Sequence, residues 1–115
     1  MLEHLFVYGT LGPGRPNEHV LGAIKGEWRN ATVRGYLREA GWGAAMGFPG
    51  LDLAELGDVI EGFVFSSGQF ASLWNSLDAF EGEAYQRVIT AVTLADDSRL
   101  DAYIYTLKPE GSPLT

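Results

Sequence analysis

Glu81 stands between Phe80 and Gly82 in the stretch "LDAFEGEAYQRV" (77–88), where a helical pattern stops. For stability the carboxylate is badly placed. The C-terminus of a helix carries about half a negative charge, which opposes ionisation of an acid beside it. Desolvation by the Phe80 and Tyr85 rings acts in the same direction, so the Glu81 carboxyl is expected to titrate above its ordinary ~4.3. A Glu nearer neutrality suits proton transfer, as general base and then general acid. Arg87, six residues on, opposes that shift if it pairs with the carboxylate. The plain alternative is a solvated carboxylate at a helix end.

A second stretch with chemical potential is "FVYGTL" (6–11), followed by "GPGRP" (12–16). One reading is a buried strand that leaves through a glycine turn. In the other, Gly9 permits close backbone approach, and the amides of Gly9, Thr10 and Leu11 face a cleft. Successive N–H groups of that kind make a nest for a carboxylate or an oxyanion. Pro13 and Pro16 stiffen the loop, which favours a preformed site.

Other chemistries lack their residues. No G-x-S-x-G elbow is present, which excludes an α/β-hydrolase serine. The glycines of "YGTLGPG" lack the Lys-Ser/Thr of a phosphate-binding loop and miss the dinucleotide spacing. His4 and His19 are too few and too isolated for a histidine-based metal site, though carboxylates could add ligands. With no cysteine at all, disulfides, thiolate metal sites and thiol nucleophiles drop out together.

The elements that must position these residues follow from periodicity. Leu5 to Tyr8 reads as a buried first strand. Asn17 is a good N-cap for a short helix carrying Val20, Leu21 and Ile24. Residues 27–38 read as a strand in which Gly35 marks a bend or bulge, and "VIEGFVFS" (59–66) as another, kinked at Gly62. Between them "AGWGAAMGFPG" (40–50) reads as irregular. Phe70, Leu73, Trp74, Leu77 and Phe80 recur at helical spacing, with Gly82 as the residue that ends the helix. "YQRVITAVTL" (85–94) and "RLDAYIYTL" (99–107) form a hairpin around "ADDS" (95–98). Both hairpin strands are apolar on two faces, as in a small closed or strongly curled sheet. The tail from about 108 is expected to be loose. Periodicity thus supports an α+β fold.

The chain has 115 residues and a net charge of −7, the size of a single domain over 1–115. Eight scattered basic residues do not make the cationic patch that nucleic acid requires. No apolar run approaches the ~20 residues of a membrane span, and the N-terminus lacks a signal-peptide layout. A cytoplasmic protein without nucleic-acid or membrane partners is expected. Oligomeric state is not legible.

"LFVYGTL", Gly14, Pro16 and Asn17, "VIEGFVF", "LDAFEGEAYQR" and "AYIY" together resemble the γ-glutamylcyclotransferase-like superfamily, in particular its γ-glutamylamine cyclotransferase branch. The resemblance runs in order from the first strand to the last. It implies a small, mostly antiparallel (mixed) β-barrel with two flanking α-helices. It also implies release of 5-oxoproline and a free amine from a small-molecule γ-glutamyl substrate, without cofactor or metal. By position, Glu81 matches the catalytic acid/base, and Tyr8, Gly9, Thr10 and Leu11 match the substrate-binding loop. Tyr85 and Tyr103 match substrate-side positions, and Asp78 and Arg87 supporting ones. Gly12-Pro13 replaces the basic residues that often follow this loop in the family, and the chain stops soon after the last strand. Both departures bear on which amine leaves. A barrel kept as a non-catalytic small-molecule-binding module, or a γ-glutamyl-removing step in a biosynthetic pathway, are the alternatives.

Overall fold

The computed structural model describes residues 2–8, 21, 22, 24–38, 50–81 and 85–107, with the backbone alone at Arg38, Glu81 and Leu107. The strands are β1 (Glu3–Val7), β2 (Glu27–Arg38), β3 (Gly50–Leu53), β4 (Asp58–Ser67), β5 (Tyr85–Leu94) and β6 (Arg99–Leu107), and the helix α1 is Trp74–Glu81. The helix expected after Asn17 falls outside these residues except for Leu21, Gly22 and Ile24, as do most of the irregular 40–50 segment and the tail from 108. Among the described residues no helix is long and apolar enough to cross a membrane.

Hydrogen bonding orders the strands β3-β2-β4-β1-β6-β5, and a further β2–β5 pairing brings the sheet back on itself. Strands β2, β4, β1, β6 and β5 therefore close a five-stranded barrel, with β3 added along β2. Every pairing is antiparallel except β1 with β6, which is parallel. The barrel is mixed and the fold is α+β, as expected.

Period-two alternation builds two cores from the same strands. Phe6, Val64, Val92 and Ile104 belong to a core drawn from all five barrel strands. Their neighbours Leu5, Val7, Phe65 and Tyr105 belong to a second core that includes Phe70 and Leu77. Leu77 is the fully buried residue of α1, and Phe70 is equally buried in the turn before it. Removing each from water stabilises the packing by about 1.5–3 kcal/mol. The helix therefore lies on an outer face of the barrel, and the two apolar faces of the hairpin strands are explained.

Three sequence expectations need correction. Gly35 and Gly62 mark no bulge, because the β2–β4 register runs unbroken from Glu27↔Ser66 to Gly35↔Asp58. Each is instead a close approach. A Cβ on Gly62 would overlap the Val7 carbonyl oxygen and the Phe6 ring, and one on Gly35 the Asp52 carbonyl oxygen. The predicted long helix is split, with Phe70–Ser72 forming a 3-10 turn before α1. There the Leu73 amide donates to the Phe70 carbonyl at 2.8 Å, and the Ser72 hydroxyl donates to the Gln69 carbonyl at 3.0 Å, a local bond that competes with the regular ladder. Strand β3 is not anticipated at all. It has four residues, too few for a periodic signal, and only its pairing with β2 defines it.

Candidate active site

Strand pairing puts chemistry-bearing residues on one face. Arg87 in β5 lies directly opposite Tyr105 in β6, so both side chains project to the same side. Tyr103 shares that side, two residues away on β6, and α1 covers it. Tyr8 follows the last residue of β1 and is half-buried. Tyr85, the first residue of β5, is buried in the outer core.

Asp78 is where these residues meet. The Tyr105 hydroxyl donates to Asp78 Oδ1 at 2.6 Å, a length within the range of charge-assisted O–H···O bonds. Arg87 Nε stands 3.6 Å from the same oxygen. On the other side of Tyr105, its carbonyl oxygen accepts a 2.6 Å bond from the Tyr8 hydroxyl. A chain of contacts thus runs from the end of β1, through β6, to the last turns of α1.

Aromatic rings hold the guanidinium in place. The Arg87 guanidinium carbon lies 4.3 Å from the Trp74 ring centre and 5.3 Å from that of Tyr103. The two rings meet edge to face, 4.9 Å apart. Such cation–ring contacts contribute about 0.5–2 kcal/mol. Trp74 is itself fixed, stacking on Phe70 at 4.5 Å and donating from Nε1 to Glu3 Oε2 at 3.3 Å. One guanidinium nitrogen of Arg87, Nη1, is buried with no hydrogen-bond partner among the described residues. Among the described residues the side chain is held by ring faces and by Asp78.

Of the sequence-predicted site residues, the structure gathers Tyr8, Asp78, Arg87 and Tyr103 around this hub. Glu81 is the last residue of α1, with no basic residue in the final turn. It follows Asp78 by three positions, which places the two on neighbouring parts of one helix face. The Glu81 side chain and residues Gly9, Thr10 and Leu11 lie outside the described part of the structure. Arg87 approaches Asp78; its pairing with Glu81, considered from sequence, lies outside the described residues.

Two members of the hub were missed from sequence. Tyr105 was hidden in "AYIY", where alternation alone puts it on the same face as Tyr103. Trp74 stands four residues before Asp78, one turn back along α1, and was read only as a core residue. Among the described residues no three acidic or histidine side chains converge as metal ligands would. A wide groove of about 870 Å³ lies elsewhere, lined by Thr32, Arg34, Leu56, Val59, Thr90 and Arg99 among others. It contains none of the junction residues, so groove size does not select the site. Convergence of polar groups does.

The family described as "Gamma-glutamyl cyclotransferase, AIG2-like" matches residues 5–114. Among solved structures, an AIG2-like protein from Mus musculus is 26% identical with a TM-score of 0.74, over 99% of this chain and 84% of that one. A protein from Arabidopsis thaliana is 27% identical with a TM-score of 0.72, over 97% and 72%. YkqA from Bacillus subtilis is 27% identical with a TM-score of 0.71 over 94% of this chain, which spans only 36% of YkqA. No curated protein sequence matches.

Proposed function

The chain belongs to the Gamma-glutamyl cyclotransferase, AIG2-like family, and from that premise we propose that it releases 5-oxoproline and a free amine from a γ-glutamyl amine or γ-glutamyl amino acid. The substrate's α-amine attacks its own γ-carbonyl. A ring C–N bond forms, the γ-amide C–N bond breaks, and the proton lost by the attacking nitrogen goes to the departing amine. Glu81 carries that proton. The step is redox-neutral and its atoms balance without a cofactor. The backbone amides of Gly9, Thr10 and Leu11 hold the glutamyl end bent for ring closure, with Tyr85 and Tyr103 on the substrate side. Orientation of this kind lowers the barrier of an intramolecular reaction by up to about 7–11 kcal/mol. A cytoplasmic site of action goes with this reading, in keeping with a chain that has no cysteine.

The observation that carries the reading is the junction itself. Helix α1 ends at Glu81, and Asp78 in the same helix is bonded through Tyr105 to Tyr8, the residue that begins the loop. The test is a panel of γ-glutamyl amines and γ-glutamyl amino acids assayed for 5-oxoproline, with wild type and Glu81→Gln. Wild type is expected to turn over at least one class, and Glu81→Gln to stay folded and lose more than tenfold in kcat/KM, about 1.4 kcal/mol or more of barrier. Activity within tenfold of wild type would remove Glu81 from the acid/base role. Binding without turnover by wild type would point to the non-catalytic module.

The helix end sets the expected pH profile. With its anion disfavoured there, Glu81 is protonated as the pH falls through a value above ~4.3, and kcat/KM falls with it on the acid side. Carboxyl titration by NMR, wild type against Glu81→Gln, identifies the group. A Glu81 midpoint at or below that reference refutes the helix-end argument.

A further inference from the structure

We infer that Tyr105 is a positioning residue, holding the helix that carries Glu81 in register with the strand end that carries the Tyr8 loop. The inference rests on the cyclotransferase reading above for its catalytic consequence, and on geometry for the rest. Tyr105 is 5% exposed and bonds in two directions. Its hydroxyl donates to Asp78 Oδ1 at 2.6 Å, and its carbonyl accepts from the Tyr8 hydroxyl at 2.6 Å.

These two bonds join residues that are distant in the chain. Tyr8 and Asp78 are 70 residues apart in the chain and sit on different elements, yet one residue of the last strand touches both. The strand is the fixed member of the three, since β6 is paired along its whole length with β5 and also with β1. Helix α1 has eight residues and therefore only about two turns. An isolated helix of that length is not stable in water, so its orientation depends on tertiary contacts. Leu77 anchors it by burial, which is non-directional, and Trp74 ties the first residue of the helix to Glu3 of β1. The Tyr105–Asp78 bond is directional, and it acts one turn before the helix end. Arg87, opposite Tyr105 in the β5–β6 pairing, approaches the same Asp78 oxygen at 3.6 Å and defines the carboxylate position from the other side.

Removing the hydroxyl while keeping the ring isolates this role. Tyr105→Phe is expected to lower kcat by about ten- to a hundredfold with KM changed less than threefold, because the substrate still meets the loop while Glu81 is misplaced. Tyr8→Phe, which loses the bond on the loop side, is expected to act mainly on KM. Because Tyr105 works through Asp78, Asp78→Ala with Tyr105→Phe should be no slower than the slower single variant. Tyr36→Phe, whose hydroxyl faces Leu56 on an exposed edge, serves as control.

A second readout does not need turnover. Amide exchange at 78–81 should speed up at least tenfold in Tyr105→Phe, while β1 and β4 keep their protection. A kcat within twofold of wild type, or a fall in kcat no larger than the fall in the folded fraction measured on the same sample, overturns the inference. If wild type releases 5-oxoproline from nothing on the panel, the proposed function fails first. Exchange then decides the positioning role, and unchanged protection at 78–81 overturns it.

Discussion

A single side chain can report how its surroundings tune it, and His4 is such a reporter. Its Nδ1 lies 2.6 Å from Ser66 Oγ, a hydroxyl that also accepts a 3.2 Å bond from Arg29. Burial and the Arg29 charge hold the His4 pKa below its ordinary 6.5. The fold thus prefers neutral His4, and the unfolded chain binds more protons between the folded pKa and 6.5. The His4 contribution to stability is therefore complete above about 6.5 and declines as the pH falls through the folded pKa. His4→Gln should flatten that part of the stability–pH curve, read as the wild-type-minus-variant difference in urea unfolding between pH 7.5 and 5. A His4 ring titrating at or above 6.5 by NMR would contradict this. The candidate loop offers a second test at the same scale. If the loop binds substrate as proposed, Gly9→Val should raise KM at least tenfold in a folded protein, by adding a side chain where the substrate is held. Normal binding by that variant would leave the loop as a plain turn.

Elements here are fitted to one another at points where no side chain is tolerated. Gly62 in β4 passes so close to the end of β1 that a Cβ would meet the Val7 carbonyl, one residue before Tyr8. Gly62→Ala should therefore destabilise by about 1–3 kcal/mol, the usual range for overpacking. Gly22 has nothing within 4 Å of its Cβ position, and Gly22→Ala should be neutral or stabilise by up to about 1 kcal/mol. Chemical denaturation of the pair checks both. Equal effects would mean that the strand crossing at Gly62 relaxes freely. The β5–β6 turn shows the same dependence on local geometry. Asp97 has a φ of 70°, and Asp96 Oδ1 accepts from both the amide and the hydroxyl of Ser98, which also holds the Asp96 carboxyl below its ordinary range.

Across the whole molecule, the inner and outer cores are built on alternate residues of the same strands, so neither can be dismantled alone. Leu94→Ala in the inner core and Leu77→Ala in the outer core should each cost about 2–5 kcal/mol, and each should leave one cooperative transition. In a Trp42→Phe background, fluorescence of Trp28 and Trp74, which pack on the outer core, should coincide with far-UV circular dichroism. A fluorescence transition at lower denaturant would show that the helix and its core unfold as a separate unit. Leu56, 94% exposed, is the control, with Leu56→Ala within about 0.5 kcal/mol of wild type.

Local rules were enough for what lies within a few residues. The apolar run "LFVY", the apolar faces of the hairpin strands, helical spacing from Phe70 to Phe80 and the turn residues of "ADDS" mark the main strands, the helix and the hairpin, because each depends on near neighbours. The placing of Glu81 at the end of α1 was legible for the same reason. Strand β3 was not, since four residues carry no period. Gly35 and Gly62 were legible as special positions, but their reason was not, because the backbone that crowds each belongs to another strand. Closure of the barrel rests on Ala31↔Leu94 and Thr32↔Thr93, contacts some sixty residues apart that no local pattern announces. Tyr105 shows the limit most clearly. Its alternation placed it on a face, but its hydroxyl found Asp78 and its carbonyl found Tyr8 only once three distant segments had packed together.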